Sequence, residues 1–295
     1  MSSKRHLTNV FPVLMLLPAL LPLVLFILLP AIRTIQMSFY RVTFGMPEEF
    51  VGLANYVQTF KDEVFKTAFT NTLIFSFSVV AGEVLFGLAA AILMSTGFKF
   101  QRLIIALVMV PYAVSEVVAA IIWKYMLDPD VGIVNFVLHT LAGLPQIQWA
   151  SHPAQAWVVV ILMRVWINFP FSFLIIYASI IGIARELYES VYIDGATNWQ
   201  AFRTITVPLA APSIMVATIF AFVFAFRNFA TVWIMTRGGP MHRTELLSTL
   251  LYKQGFTFWE FGMASAIAVI MTILTFVIAA YYLRDMYRQM FLKRQ

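Results

Sequence analysis

The sequence predicts an all-α, polytopic membrane protein with six transmembrane helices. Three observations predict it. Charged residues make up 12% of the 295 residues and apolar ones 61%, with a mean hydropathy of +0.84, whereas a soluble domain carries about 25% charged and about 45–50% apolar residues. The apolar residues come in blocks of about twenty, the length that crosses the hydrocarbon core as a helix. An outer-membrane barrel would instead alternate apolar and polar residues over runs of about ten. The scarce charges, finally, fall mostly between the blocks.

Residues 1–10 read as a cytoplasmic N-terminus, with Lys4, Arg5 and His6 before the first span at 11–32. That apolar run is longer than a signal-peptide core and no Ala-x-Ala follows it, so a retained helix is expected. Residues 33–71 form an outer segment, too polar to span and too aromatic for a linker, expected to pack as short interfacial helices. Residues 72–283 form the core, with five spans at 72–94, 103–123, 156–183, 212–235 and 263–283, and residues 284–295 are a cytoplasmic tail. Ten Lys and Arg lie on the N-terminal side of the membrane and eight on the other, in much shorter inner segments. This density bias puts both termini in the cytoplasm. Between the third and fourth spans, Asp128-Pro129-Asp130-Val131-Gly132 is a turn by its chemistry. It starts like a calcium loop but lacks the later ligands.

Several chemistries are excluded. There is no cysteine, hence no disulfide, thiol nucleophile or Cys-ligated metal. The four histidines lie outside the spans with no H-E-x-x-H, and no G-x-x-x-x-G-K-[ST] is present, so no metal site and no ATP site is expected in this chain. The net charge of +6 marks cytoplasmic edges and calls for no nucleic acid. Four charges fall within spans: Glu83, Glu116, Arg164 and Arg227. A charge at mid-membrane costs about 2.5–3.5 kcal/mol on insertion scales, so it faces a partner or a cavity. Either an ion pair holds helices together here, or the groups line a solute path.

The inner loop at 185–212 is the most informative segment. Leu187 and Val191 fall on one helical face, and Trp199, Phe202 and Ile205 on another. Gly195 should stop the first helix and turn the chain. Asp194 and Thr197 are candidate N-caps, while Pro208 and Pro212 should end the second helix and start the next span. Two short helices with a sharp turn are expected, either filling a groove on another protein or lying on lipid headgroups.

Glu189-Ser190-Val191, Asp194-Gly195-Ala196, Ile205, Pro208-Leu209 and Pro212 resemble the EAA loop of ABC-importer permeases. Ser190 and Val191 stand in place of the two usual alanines. Thr236-Arg237-Gly238-Gly239-Pro240, the segment from Phe50 to Tyr56, Val110-Pro111-Tyr112, and Trp123 followed by Gly132-Ile133-Val134-Asn135 extend the likeness over nearly the whole chain, closest to the carbohydrate-uptake, maltose-transporter branch. The resemblance implies the six-helix core of a type I importer permease in a bacterial cytoplasmic membrane, embedded in lipid. It implies as partners a second permease subunit, expected to be a paralogue, two ATPase subunits that carry ATP and Mg, and an extracytoplasmic solute-binding protein. Leu187, Tyr188, Glu189, Val191, Asp194, Gly195 and Ala196 would couple to the ATPase, with Glu189 pairing a basic residue. Arg164, Ile167, Asn168, Phe171, Phe224, Ala225 and Asn228, with the intramembrane Arg227, would line the solute site. The solute would be a sugar or oligosaccharide, neutral or acidic; Arg164 would favour an acidic one unless Glu83 or Glu116 neutralises it. A glycerol phosphate ester and an ion-coupled secondary transporter are the alternatives.

Overall fold

The computed structural model describes residues 15–18 and 20–288. The N-terminal basic pair Lys4 and Arg5, and Lys293 and Arg294 of the tail, lie outside the described residues. The chain divides into two compact units, one made of the segment up to Asp62 with Leu250–Thr272, the other of Glu63–Thr249 with the segment from Ile273.

The first unit contains α1 (Leu20–Met37), an antiparallel hairpin of β1 (Tyr40–Arg41) and β2 (Glu49–Phe50), and α2 (Ala54–Lys61). The segment between α1 and residue 62 therefore folds as one hairpin and one short helix, rather than as short helices alone. Asn55 ties it together. Its buried amide donates to the backbone carbonyls of Ser38 and Tyr40, both at 2.9 Å, so the start of α2 is fixed to the end of α1. The Ser38 and Tyr56 hydroxyls share a further bond of 2.7 Å.

In the second unit, α3 (Glu63–Ser95) is followed by α4 (Gln101–Ala113), α5 (Glu116–Met126), α6 (Ile133–Ala142) and α7 (Pro153–Ile181). Next come α8 (Arg185–Ile193), α9 (Asn198–Phe226), α10 (Ala230–Met235) and α11 (Leu247–Tyr252). Both α11 and the last helix, α12 (Phe261–Tyr287), contribute residues to both units. Helix α3 packs along α7, and α9 packs on both. Glycine permits the approach of α3 to α7: a Cβ on Gly87 would sit 2.8 Å from the backbone nitrogen of Phe173, and one on Gly82 2.6 Å from the Val165 side chain. Small residues at a membrane helix contact let the backbones close and gain dispersion contacts that lipid cannot supply. Phe75, Val79, Val160 and Met163 centre one apolar cluster, and Ala91, Phe173, Ile176 and Ala210 another.

One expected span is bent and one expectation is corrected. The third span is not straight: α4 and α5 meet at a 96° bend. Val114 and Ser115 are extended there. Pro111, one turn earlier, offers no N–H to continue the helix ladder. Among the described residues five helices are long and apolar enough to cross a membrane, and this bent pair is the sixth when counted as one span. Pro208 and Pro212 do not end a helix either, because the chain is helical from Asn198 through Phe226. The widened turn at Phe202–Thr206, closed by the Val207 N–H on the Phe202 carbonyl, takes up the register that a proline would otherwise break.

Candidate functional site

Both broken spans meet at one place. The break between α4 and α5 delivers Glu116 at the start of α5, and the break between α9 and α10 delivers Asn228. Helix α10 packs against α5, and this brings the two side chains together. The Asn228 amide donates to Glu116 Oε1 and, at 3.0 Å, to the Thr231 hydroxyl, which itself donates to Glu116 Oε1 at 2.8 Å. Ser248, on α11, donates to the Asn228 carbonyl. Irregular backbone at membrane depth is tolerated where it is buried in protein or lines a cavity, and broken helices mark solute sites in transporters.

Arg164, on α7, lies behind this cluster between two acids. Its Nε is 3.8 Å from Glu83 Oε1 and its Nη1 3.5 Å from Glu116 Oε1. Side-chain exposure is 5% for Arg164 and 2% for Glu83, but 33% for Glu116. Neither Arg164 Nε nor Glu83 Oε1 has a hydrogen-bond partner. Of the two possibilities for Arg164, the structure has it paired, with both acids at once.

The other candidate lining residues divide. Ile167 and Ala225 are buried in the apolar core. Asn168 is half-buried and donates to the Arg164 carbonyl at 3.4 Å. Phe171 and Phe224 belong to an aromatic patch, their rings 6.1 Å apart, that also takes in Tyr112 of α4 and Phe220 of α9, at 5.8 and 5.7 Å from Phe171. Tyr112, Phe220 and Phe224 are exposed. Arg227 caps the end of α9 and is exposed, with no acid within ion-pair distance among the described residues. Sequence reasoning missed Thr231, Tyr112 and Phe220. Phe220 was within reach, since it lies four residues before Phe224 on the same face.

At the 185–212 loop, α8 has no buried residue. Leu187, Glu189, Asp194 and Gly195 are exposed, and Tyr188, Val191 and Ala196 are half-buried. Gly195 turns the chain at φ +81°, a conformation an L side chain resists. Thr197 caps α9 with a reciprocal box: its hydroxyl accepts from the Gln200 N–H, and the Gln200 side chain accepts from the Thr197 N–H. Asp194 is not an N-cap as expected. It closes α8, its N–H on the Ser190 carbonyl. The Tyr188 hydroxyl meets Thr206 at 2.9 Å, tying α8 to α9. A cleft of about 610 Å³ opens beside α8, lined by Ile92, Ile180, Tyr188, Tyr192 and Phe202 among others.

Two further loops are also braced. Asn135 donates to the Ile147 carbonyl and accepts from the Ile147 N–H and the Trp149 indole. Asp128 accepts from the N–H groups of Asp130 and Val131; its carboxylate closes the turn. In the segment from Thr236 to Glu245, the fully buried Glu245 accepts from Thr249 at 2.7 Å and meets His242 at 2.9 Å. Asn71 of α3 donates to the carbonyls of His242, Arg243 and Glu245. Gly238, at φ +82°, lies directly over the Glu245 carboxylate, where a side chain has no room.

A family model described as "Binding-protein-dependent transport system inner membrane component" matches residues 83–288, the segment holding all of these groups except Asn71. The chain is 32% identical over 272 residues to the trehalose/maltose transport system permease protein of Thermococcus litoralis, covering 92% of each. It is 35% identical over 274 residues to the sulfoquinovosyl glycerol transport system permease protein of Agrobacterium fabrum, covering 92% of this chain and 89% of that one. A solved bacterial ABC transporter involved in the import of the acidic polysaccharide alginate contains a chain of the same fold, with TM-score 0.86 at 23% identity over 98% of this chain and 99% of that one.

Proposed function

Since the chain belongs to the family of binding-protein-dependent transport system inner membrane components, we propose that it forms half of the translocation path of an ATP-driven importer for a sugar or oligosaccharide. It sits in the bacterial cytoplasmic membrane with both termini inside. A paralogous permease supplies the other half, two ATPase subunits bind and hydrolyse ATP, and an extracytoplasmic binding protein delivers the solute. The observation that carries this reading is α8: a short helix with no buried residue, set beside a capped glycine turn and hydrogen-bonded to the foot of α9, which runs to the break that holds Asn228. An exposed amphipathic helix of this kind fits a groove on a partner, and Glu189 at its surface offers a carboxylate to a basic residue at the groove edge. ATPase closure on α8 then moves α9 as a rigid body, and the site at the two broken spans opens alternately to either side. Aromatic faces of Phe171 and Phe224 cover the apolar faces of sugar rings, and the amides of Asn168 and Asn228 meet hydroxyls.

The test uses the assembled complex in vesicles. Glu189→Lys places like charges at the groove edge, which costs several kcal/mol. Uptake should fall at least about tenfold while the complex still hydrolyses ATP. Uptake in vesicles lacking the ATPase subunits, or undiminished uptake by Glu189→Lys, overturns the reading.

A further inference from the structure

We infer that the charge this chain presents to the solute is the carboxylate of Glu116, and that the solute is accordingly uncharged and rich in hydroxyl donors rather than acidic. The inference rests on the importer reading above and names the solute class of that same site. One guanidinium faces two carboxyl groups in the cluster, and it is the guanidinium that is sequestered: the Arg164 side chain is 5% exposed against 33% for Glu116. Every contact found on Glu116 falls on Oε1, from Asn228, Thr231 and Arg164. Among the described residues nothing bonds Oε2. A second acceptor stands beside it, because Asn228 spends its N–H donors on Glu116 and Thr231 while its own Oδ1 is buried without a partner. The unbonded Oε2 of the partly exposed Glu116, a carboxylate oxygen with two lone pairs at the junction of two broken spans, calls for donors. Sugar hydroxyls supply them, whereas a carboxylate, sulfonate or phosphate brings more acceptors and a like charge. Each charge-assisted hydrogen bond contributes more than a neutral one, so hydroxyls bind and anions are turned away by the same group.

Arg227 is the group that would reverse this sign if it faced the same water, and the experiment separates the two. The chain has no native cysteine, so Phe224→Cys in the assembled importer places a single thiol on this chain, at an exposed position of the aromatic patch. It is treated with a cationic trimethylammonium methanethiosulfonate or an anionic sulfonate one, and the adduct on this chain is followed by intact mass. The cationic reagent should react roughly tenfold faster. Adding Glu116→Gln should abolish that preference, Glu116→Asp should keep it, and Arg227→Gln should leave it intact or enlarge it. Reaction without a cationic preference, or a preference indifferent to Glu116→Gln, overturns the inference while leaving the site reading in place. Failure of both reagents shows that this face lines no aqueous path, and overturns the site reading along with the inference.

Discussion

Arg164 holds two carboxyl groups at 3.5 and 3.8 Å, beyond the roughly 2.7–3.2 Å of a hydrogen bond. What it contributes is therefore Coulombic and non-directional, and it acts on α3, α5 and α7 at once. Removing one partner of a buried ion pair costs about 3–5 kcal/mol, because the other charge is left uncompensated. Arg164→Met should accordingly lower the melting temperature of the assembled complex, and adding Glu83→Gln should recover part of the loss. A normal melting temperature with impaired uptake would instead make Arg164 a solute contact. The sequence placed all these charges inside spans and named Glu83 and Glu116 as possible partners. It could not choose between them, since the choice depends on how α3, α5 and α7 are rotated about their own axes. Thr231, a neutral residue, gave no signal at all.

Among the elements, the spans were legible because crossing the membrane demands a run of apolar residues whatever the packing. Their interruptions were not. Pro111 was visible, but proline is also tolerated within membrane helices, and what breaks the third span is the extended pair Val114 and Ser115 one turn later. Pro208 and Pro212 looked like stops, and the widened turn before them lets the helix continue. Gly195 and Thr197 were read correctly, because positive φ and N-capping are local demands that a residue type answers on its own. The contact of α3 with α7 yields a further test. Gly87→Val must push against the backbone of Phe173, and overpacking of this kind costs about 1–3 kcal/mol. Thermal melts of the complex should show that loss, whereas Gly97→Val, with open space around it, should cost only the strain of its positive φ.

For the molecule as a whole, the loop at 185–197 is joined to the break that holds Asn228 by one continuous helix. Helix α9 runs 29 residues from the Thr197 cap to Phe226, a length of about 43 Å. Spin labels on Trp199→Cys and Phe224→Cys, about 38 Å apart along the axis, should hold their separation through the ATP cycle. A label pair on Trp199→Cys and Met241→Cys, which straddles the break at Arg227–Phe229, should change its separation. A changing 199–224 distance would sink this picture. If it holds, α9 works as a push-rod: displacement applied at one end arrives undiminished at the other, and the compliance of the machine is concentrated in the three residues where the rod stops. On the proposed function, stroke length is then set at the Thr197 end and solute selection at the far tip. Substitutions that retune which cargo is accepted can accumulate around the tip without detuning the drive.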